Sequence, residues 1–427
     1  MTKFCSVDKA VEVIQSNHRV FVHGGAATPH VLLKALFLQG DRLKNVELIH
    51  LHLEGSVPHT EETFKKSFKS VSLFVGQNLR KALDYECIDY LPCFLSEIPG
   101  LFRSKKRPLD VALLHVSPPD QHGFCSLGVS VDIAHAAVES AGIIIAQINP
   151  NMPRVHGDGF LHLSRIDYCV EVNEPLPQIT PHPISPIEKK IGDYVASLID
   201  DGATLQIGIG SVPDAILASL SNHKHLGLHS EMWSDGALAL IESGVIDNSK
   251  KVFIRGRSVS GFVTGTQKLY DFINDNPSVV QLDIGVVNLP SIIAQNPKVA
   301  AINSAVEVDL TGQICADSIG SRIISGVGGQ MDFMRGATLS QGGKPIIAMT
   351  SRTVKGVPRI VSQLQLGAGV VTTRAHVHYV VTEYGVIDLF GKTLKERADA
   401  LISIAHPEDR VKLEKEWKEV ISKSIKS

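Results

Sequence analysis

The chain of 427 residues carries almost no surplus of charge: 42 basic and 44 acidic side chains leave −2 at neutral pH. That balance gives no electrostatic case for binding nucleic acid or an anionic membrane surface. No uninterrupted apolar stretch is long enough to span a bilayer. Cysteine is scarce and scattered. Cys5, Cys87, Cys93, Cys125, Cys169 and Cys315 form no CxxC pair and no structural zinc spacing, so a reduced cytoplasmic protein is expected. The opening MTKFCSVDKAVEVI lacks the apolar core of a secretory signal. The expected partners are small molecules and copies of the chain itself.

What the chain does have is an ordinary globular composition, 44% hydrophobic and 20% charged, and enough length for two or three well-buried domains. Its most informative stretch is LQIGIGSVPDAILASLSNHKHLGLHSEMWSDG, from Leu205 to Gly236. The apolar run Leu205 to Ile207 reads as a buried strand, and Gly208, Ile209 and Gly210 turn the chain. Pro213 suits the first position of the helix that follows, where its missing amide is not needed. LGLHSE then reads as a second strand. A right-handed crossover lays the two strands parallel, which brings Glu231 near the glycine turn.

Locally, this segment leaves three readings open. An acid about twenty residues beyond a glycine turn suits a ribose hydroxyl, although Pro213 stands where the dinucleotide fingerprint needs its third glycine. Glu231 can also be a surface cap or ion pair. The third reading is a carboxylate nucleophile. His223, His225, His229 and Glu231 have the side chains of a metal site, but Gly227 interrupts the helix that would align His225 with His229, so no metal is expected.

The segment EPLPQITPHPISPIEKK carries Pro175, Pro177, Pro181, Pro183 and Pro186. Such a run fits neither a helix nor a central strand and marks a boundary. The expected domains are 1–183 and 184–427. Sliding the chain by 184 positions lays FVHGGAATPHVLLKAL, from Phe21, on LQIGIGSVPDAILASL, and Gly24 meets Gly208 while Pro29 meets Pro213. Upstream, Val7, Val11 and Ile14 fall on Ile191, Val195 and Leu198, each set on one helical face. Downstream, ELIHLHLEG resembles GLHSEM with seven residues gained or lost, which makes Glu54 a rival to Glu231. VALLHV from Val111, GIIIAQIN from Gly142, VVQLDIGVVN from Val279 and KPIIAMT from Lys344 read as further strands. The expected fold class is α/β: two similar, open, largely parallel sheet domains arising from an internal duplication.

Three other stretches carry candidate chemistry. SGVGGQMDFMRGA leaves backbone amides open at Gly326, Gly328 and Gly329 for a phosphate or a thioester oxygen. Arg322, Arg335, Arg352 and Lys355 surround it in sequence and suit a polyphosphate, or are simply solvated. VSPPDQHGFCSLG is a loop of the kind that gathers binding groups. In NPNMPRVHGDGF, the side chains of Arg154, His156 and Asp158 suit a polar network at a domain junction. His376 and His378 are expected on one face of a strand, as structural polar residues.

Together, GIGSVP, HSEMWSDG, GVGGQMDFMRGA, RAHVHYVVTEYGVIDLFGKTLKERA and IAHPEDR resemble the acetyl-CoA hydrolase/transferase family over nearly the whole chain. The closest likeness is to its 4-hydroxybutyrate CoA-transferases, with the butyryl-CoA:acetate CoA-transferases nearby. The resemblance implies two CoA-transferase-type domains and a nucleophile at Glu231, not at Glu54. It implies CoA contacts at Gln206, Ile207, Gly208, Ile209 and Gly210, in the loop of Gly326, Gly328 and Gly329, and at Lys355. Ser230 stands where many relatives have threonine, and Trp233 is a more individual feature.

The implied reaction moves CoA from a short-chain acyl-CoA to a free acid of the acetate, butyrate or 4-hydroxybutyrate type through a glutamyl-CoA thioester, in a ping-pong sequence. It calls for CoA as substrate and for no metal, nicotinamide or flavin. A homodimer or a dimer of dimers is expected. If water enters the site the same glutamate makes a hydrolase, and without turnover the chain would be a CoA-binding regulator.

Overall fold

Runs of β-branched and aliphatic residues too short for helices build the core of this protein. LDVALLHV, from Leu109 to Val116, is buried at seven of its eight positions, as a strand covered on both faces must be. A computed structural model describes residues 2–55, 61–180 and 183–426. The chain divides into two compact units, Met1–Thr180 with Arg257–Asn288, and Pro181–Gly256 with Leu289–Ser427.

The first unit holds an eight-stranded sheet built from β1 (Lys3–Phe4), β2 (Arg19–Val22), β3 (Val46–His50), β4 (Phe68–Ser72), β5 (Ile88–Tyr90), β6 (Leu109–Val116), β7 (Ala141–Ile148) and β8 (Tyr168–Glu171). Its order is β1-β8-β7-β6-β2-β3-β4-β5, and every neighbouring pair is parallel. Helices α1 (Val7–Val11) and α2 (His30–Leu38) cover one face. There Val11, Ile14, Leu36, Val46 and Leu113 share a core, each contributing roughly 1.5–3 kcal/mol by leaving water.

The second unit repeats the plan. Helix α3 (Pro186–Leu198) starts with Ser185 and Glu188 in a reciprocal capping box and Pro186 in its first turn, a strong start signal. Strands β9 (Thr204–Ile207), β10 (Gly227–Leu228), β11 (Val299–Asn303), β12 (Lys344–Ala348), β13 (Tyr379–Thr382) and β14 (Gly385–Asp388) follow. They lie in the order β10-β9-β11-β12-β13-β14, parallel except for the last pair. The order β3-β2-β6-β7-β8 in the first unit matches β10-β9-β11-β12-β13 here, which extends the repeat beyond the helix, strand, glycine turn and helix aligned by the 184-residue offset. Helix α4 (Ser211–Ser219) packs on α3 at Gly192, where an added Cβ would lie 2.5 Å from Ala215 O. Helices α5 (Gln330–Leu339), α6 (Leu394–Ser403) and α7 (Pro407–Lys426) complete the unit.

Residues 257–288 depart from the expected division into 1–183 and 184–427, because their ladder partners lie in the first unit. Val279–Gln281 pairs in parallel with His156–Gly157, Val263 N donates to Val129 O at 2.9 Å, and Ile179 N donates to Gly265 O at 3.1 Å. The long strand expected from Val279 stops at Gln281, and a helical turn, Ile284–Val287, follows. Arg154 pairs with Asp120 at 2.8 Å and His156 with Asp275 at 3.1 Å, while Asp158 accepts from Asp283 N at 3.0 Å. This network therefore ties 275–283 into the first unit. Pro181, one of the boundary prolines, lies outside the described residues. Among the described residues, no helix is long and apolar enough to cross a membrane.

Candidate active site

Strand β9, TLQI, is buried throughout and delivers its last residue, Ile207, to the glycine turn. Gly210 has φ +118° and ψ 175° and caps α4, a backbone state open essentially to glycine alone. The helix starts at Ser211, so Pro213 is its third residue and not its first; its missing amide still falls among the four that have no intrahelical partner. At Gly208 an added Cβ would meet nothing within 4 Å. Packing within the protein therefore does not demand glycine there, and the bare backbone faces open space. The Gln206 side chain is buried and accepts from Asn303 Nδ2 at 2.9 Å. Ile209 is 49% exposed.

The expected continuous strand through Glu231 is interrupted. It consists of Gly227–Leu228 and, after a break, Met232–Trp233. His229 N still donates to Leu205 O at 3.0 Å. Ser230 then turns its hydroxyl onto β9: Ile207 N donates to Ser230 Oγ at 3.2 Å, and Ser230 Oγ donates to Ile207 O at 3.0 Å. This reciprocal clamp, fully buried, sets Glu231 beside the residue that precedes Gly208. Glu231 is half-buried, and Met232 and Trp233 behind it are buried.

The neighbouring histidines turn to separate partners. His223 Nε2 lies 3.0 Å from Ile199 O, His225 pairs with Asp247 at 2.7 Å, and His229 packs against a tilted Phe253 ring and edge-on to Phe333. His376 and His378 precede β13 and do not share a strand face. His376 bonds Thr373 at 2.9 Å, and the His378 ring lies 4.5 Å from that of Phe390.

Gly326, Gly328 and Gly329 are buried and lead into α5, with Gly328 at φ +58°. Gln330, the first helical residue, donates to Ser304 O at 3.0 Å. Ser304 follows Asn303, the partner of Gln206, so the glycine loop joins the turn at the carboxyl edge of the sheet. That edge also opens into a cleft of about 680 Å³ lined by Ile209, Ser211, Ser304, Thr350, Val354 and Arg359, the expected place for a ligand in an open α/β sheet. Lys355 is exposed in a turn closed by Gly356 N donating to Thr353 O at 2.8 Å. Thr353, Val354 and Gly356 line the cleft.

Arg352 does not serve as a free cation, because it grips Asp409 with Nε at 2.8 Å and Nη2 at 2.6 Å, and reaches Glu408 with Nη1 at 2.7 Å. Arg359, which sequence reasoning missed, holds Ala305 O at 3.0 Å with Nη1 while its Nε is buried without a protein acceptor. Burial lowers its pKa from the usual guanidinium value. Its only sequence signal is a basic residue just before the short strand Ile360–Val361. In the first unit Glu54 lies 3.6 Å from His52 Nε2, and that histidine holds its carboxyl below the usual range.

Family models match both halves of the chain: the acetyl-CoA hydrolase/transferase N-terminal domain over residues 1–181 and the C-terminal domain over 265–417. The chain is 51% identical to a succinyl-CoA:acetate/propanoyl-CoA:succinate CoA transferase of Fasciola hepatica, covering 96% of this chain and 86% of that one. It is 49% identical to a 4-hydroxybutyrate coenzyme A transferase of Clostridium kluyveri, covering 97% of each. RipA from Yersinia pestis superposes with a TM-score of 0.93 at 33% identity, over 98% of this chain and 97% of that one. The chain belongs to the acetyl-CoA hydrolase/transferase family.

Proposed function

We propose that this protein is a CoA-transferase that moves CoA between a short-chain acyl-CoA and a free carboxylic acid, with Glu231 as the covalent relay. The observation that supports the reading is the Ser230–Ile207 clamp, which fixes the backbone next to Glu231 beside the glycine turn. A carboxylate with a pKa of about 4 is a weak nucleophile, so orientation must supply much of the rate, and a clamped neighbour supplies it.

The Glu231 carboxylate attacks the thioester carbonyl; the C–S bond breaks, CoA leaves as thiolate and a mixed anhydride forms. The thiolate then attacks the glutamyl carbonyl and expels the first acid as carboxylate, leaving glutamyl-CoA. An incoming carboxylate reverses both steps on its own acyl group. Every bond broken is matched by one formed, so the sequence calls for no metal or redox cofactor. Backbone amides from Gly208 to Ser211, or at Gly326, Gly328 and Gly329, suit the tetrahedral oxyanion, each well-placed donor contributing roughly 3 kcal/mol. CoA itself is assigned to Gln206, Ile207, Gly208, Ile209 and Gly210 and to the adjoining cleft. There Lys355 suits a phosphate oxygen. The reading extends to short aliphatic acids and to a homodimer or dimer of dimers in the cytoplasm.

Two measurements test it. Acyl-CoA consumption with and without acetate is expected to show acetate-dependent formation of acetyl-CoA; equal rates with no new acyl-CoA sink the transfer claim. Mass spectrometry after borohydride or hydroxylamine trapping is expected to place the adduct on Glu231. An adduct on Glu54, or on no glutamate, overturns the assignment.

A further inference from the structure

Strand β10 is the edge of the second sheet, and its hydrogen bonding is lopsided. Gly227 N and His229 N donate inward to Ala203 O and Leu205 O at 2.8 and 3.0 Å. The amide and carbonyl of Leu228 between them therefore face the open side. Two residues earlier that side is covered by main chain, since Leu226 N donates to Val245 O at 2.9 Å and Asp247 N to Leu226 O at 3.1 Å. At Leu228 the covering strand has run out and side chains take its place. Leu228 N donates to Asn248 Oδ1 at 2.8 Å, and Lys251 Nζ donates to Leu228 O at 2.9 Å.

Both side chains are built into the fold. Asn248 is 4% exposed and Lys251 2%, and Asn248 holds φ +57°, a state asparagine tolerates better than most residues. The lysine stem passes over Gly227, where a Cβ would lie 2.6 Å from Lys251 Cγ. The same segment continues to grip the strand beyond Leu228: the Phe253 ring packs at a tilt against His229, 5.5 Å between centroids, and Asn296, which accepts from Val252 N and Phe253 N at 3.1 Å, lies 3.2 Å from His229 Nδ1. Residues 248–253 thus hold the strand from its open side while β9 holds it from the other, up to the residue before Glu231.

We propose that Lys251 is a positioning residue for Glu231: its amine anchors the Leu228 carbonyl on the open side of the edge strand and so determines where the strand stops and the reactive carboxylate begins. The inference rests on the reading of Glu231 as the relay. Burial pushes the Lys251 amine down to about 7, so a lysine here costs free energy that a methionine of similar length would not. What it supplies in return is a dry, directional donor for a buried carbonyl without a strand partner.

The test compares full-length wild type, Lys251→Met, which removes the donor at similar volume, and Lys251→Gln, which keeps a shorter one. For Lys251→Met the expected result is a fall in kcat of about 10- to 100-fold with the KM for acyl-CoA little changed. Glutamyl-CoA formation, followed by mass, falls in step, and Lys251→Gln recovers a large part of both. Wild-type kcat in Lys251→Met overturns the proposal, as does a loss confined to KM, or a Lys251→Gln that melts normally but is no better than Lys251→Met. If Lys251→Met loses its cooperative melt, Lys251→Gln decides alone: kcat within about threefold of wild type supports the role, and a tenfold loss with a normal melt refutes it. Absence of any adduct on Glu231 in the wild type defeats the underlying nucleophile reading instead, independently of Lys251.

Discussion

Gly208 and Gly210 stand two residues apart and answer to different physics. Gly210 is required by its own backbone, and Gly210→Ala is expected to cost about 2 kcal/mol of stability, read as a lower denaturant midpoint. Gly208 has no such strain and no protein neighbour where its Cβ would be. Gly208→Ala is therefore expected to melt as the wild type does while the KM for acyl-CoA rises about tenfold or more, because the methyl occupies ligand space. An unchanged KM would show that CoA does not approach this turn. The turn and its carboxylate were legible because glycine, proline and a lone acid punctuate an apolar run. Lys251 and Arg359 were not, since a lysine or arginine in a sequence reads as solvated and only tertiary packing buries it. The break in the strand at Glu231 was hidden for a related reason, since the contacts around it, the Ser230 hydroxyl on Ile207 among them, arise only from tertiary packing.

Around the cleft, the loop after β12 is fastened by Arg352 to Glu408 and Asp409 in the first turn of α7. There the carboxylates also face the positive end of the helix. The Arg352 hydrogen bonds hold Asp409 below the ordinary carboxylate range. A depressed acid contributes stability that is full above its unfolded pKa and is lost as the pH falls through its folded pKa, so this fastening is expected to fail on the acid side only. Asp409→Asn removes one arm at every pH: a severalfold higher KM for acyl-CoA at neutral pH is expected, with a weaker dependence of KM on acidification than in the wild type. Identical pH profiles would show that the loop is held by other contacts. Helices and strands with strong periodicity, such as α3 with Ile191, Val195 and Leu198 on one face and β6 with its apolar run, were readable in advance. The short strands of residues 257–288 were not assignable to a sheet, because His156–Gly157 and Val129, which pair with them, are more than a hundred residues away.

Across the whole molecule, that segment makes the two halves unequal. The shared opening of the two halves, helix, strand, glycine turn and helix, was visible in the 184-residue offset, but a cut at the proline-rich boundary does not separate two complete units. A fragment of residues 1–183 would leave Val129, Asp132 and His156–Gly157 without their partners in Val263, Ile284 and Val280–Gln281. It is expected to show no cooperative melt by calorimetry, alone or mixed with 184–427 in native buffer. A sharp transition from 1–183 alone would mean that the inserted segment is dispensable. The chain passes between the units three times, after residues 180, 256 and 288. During synthesis, then, the amino-terminal unit stays unfinished until residue 288 has cleared the ribosome, by which time the segment bearing Ser230 and Glu231 has already emerged. The half that is translated first cannot be the half that is completed on its own.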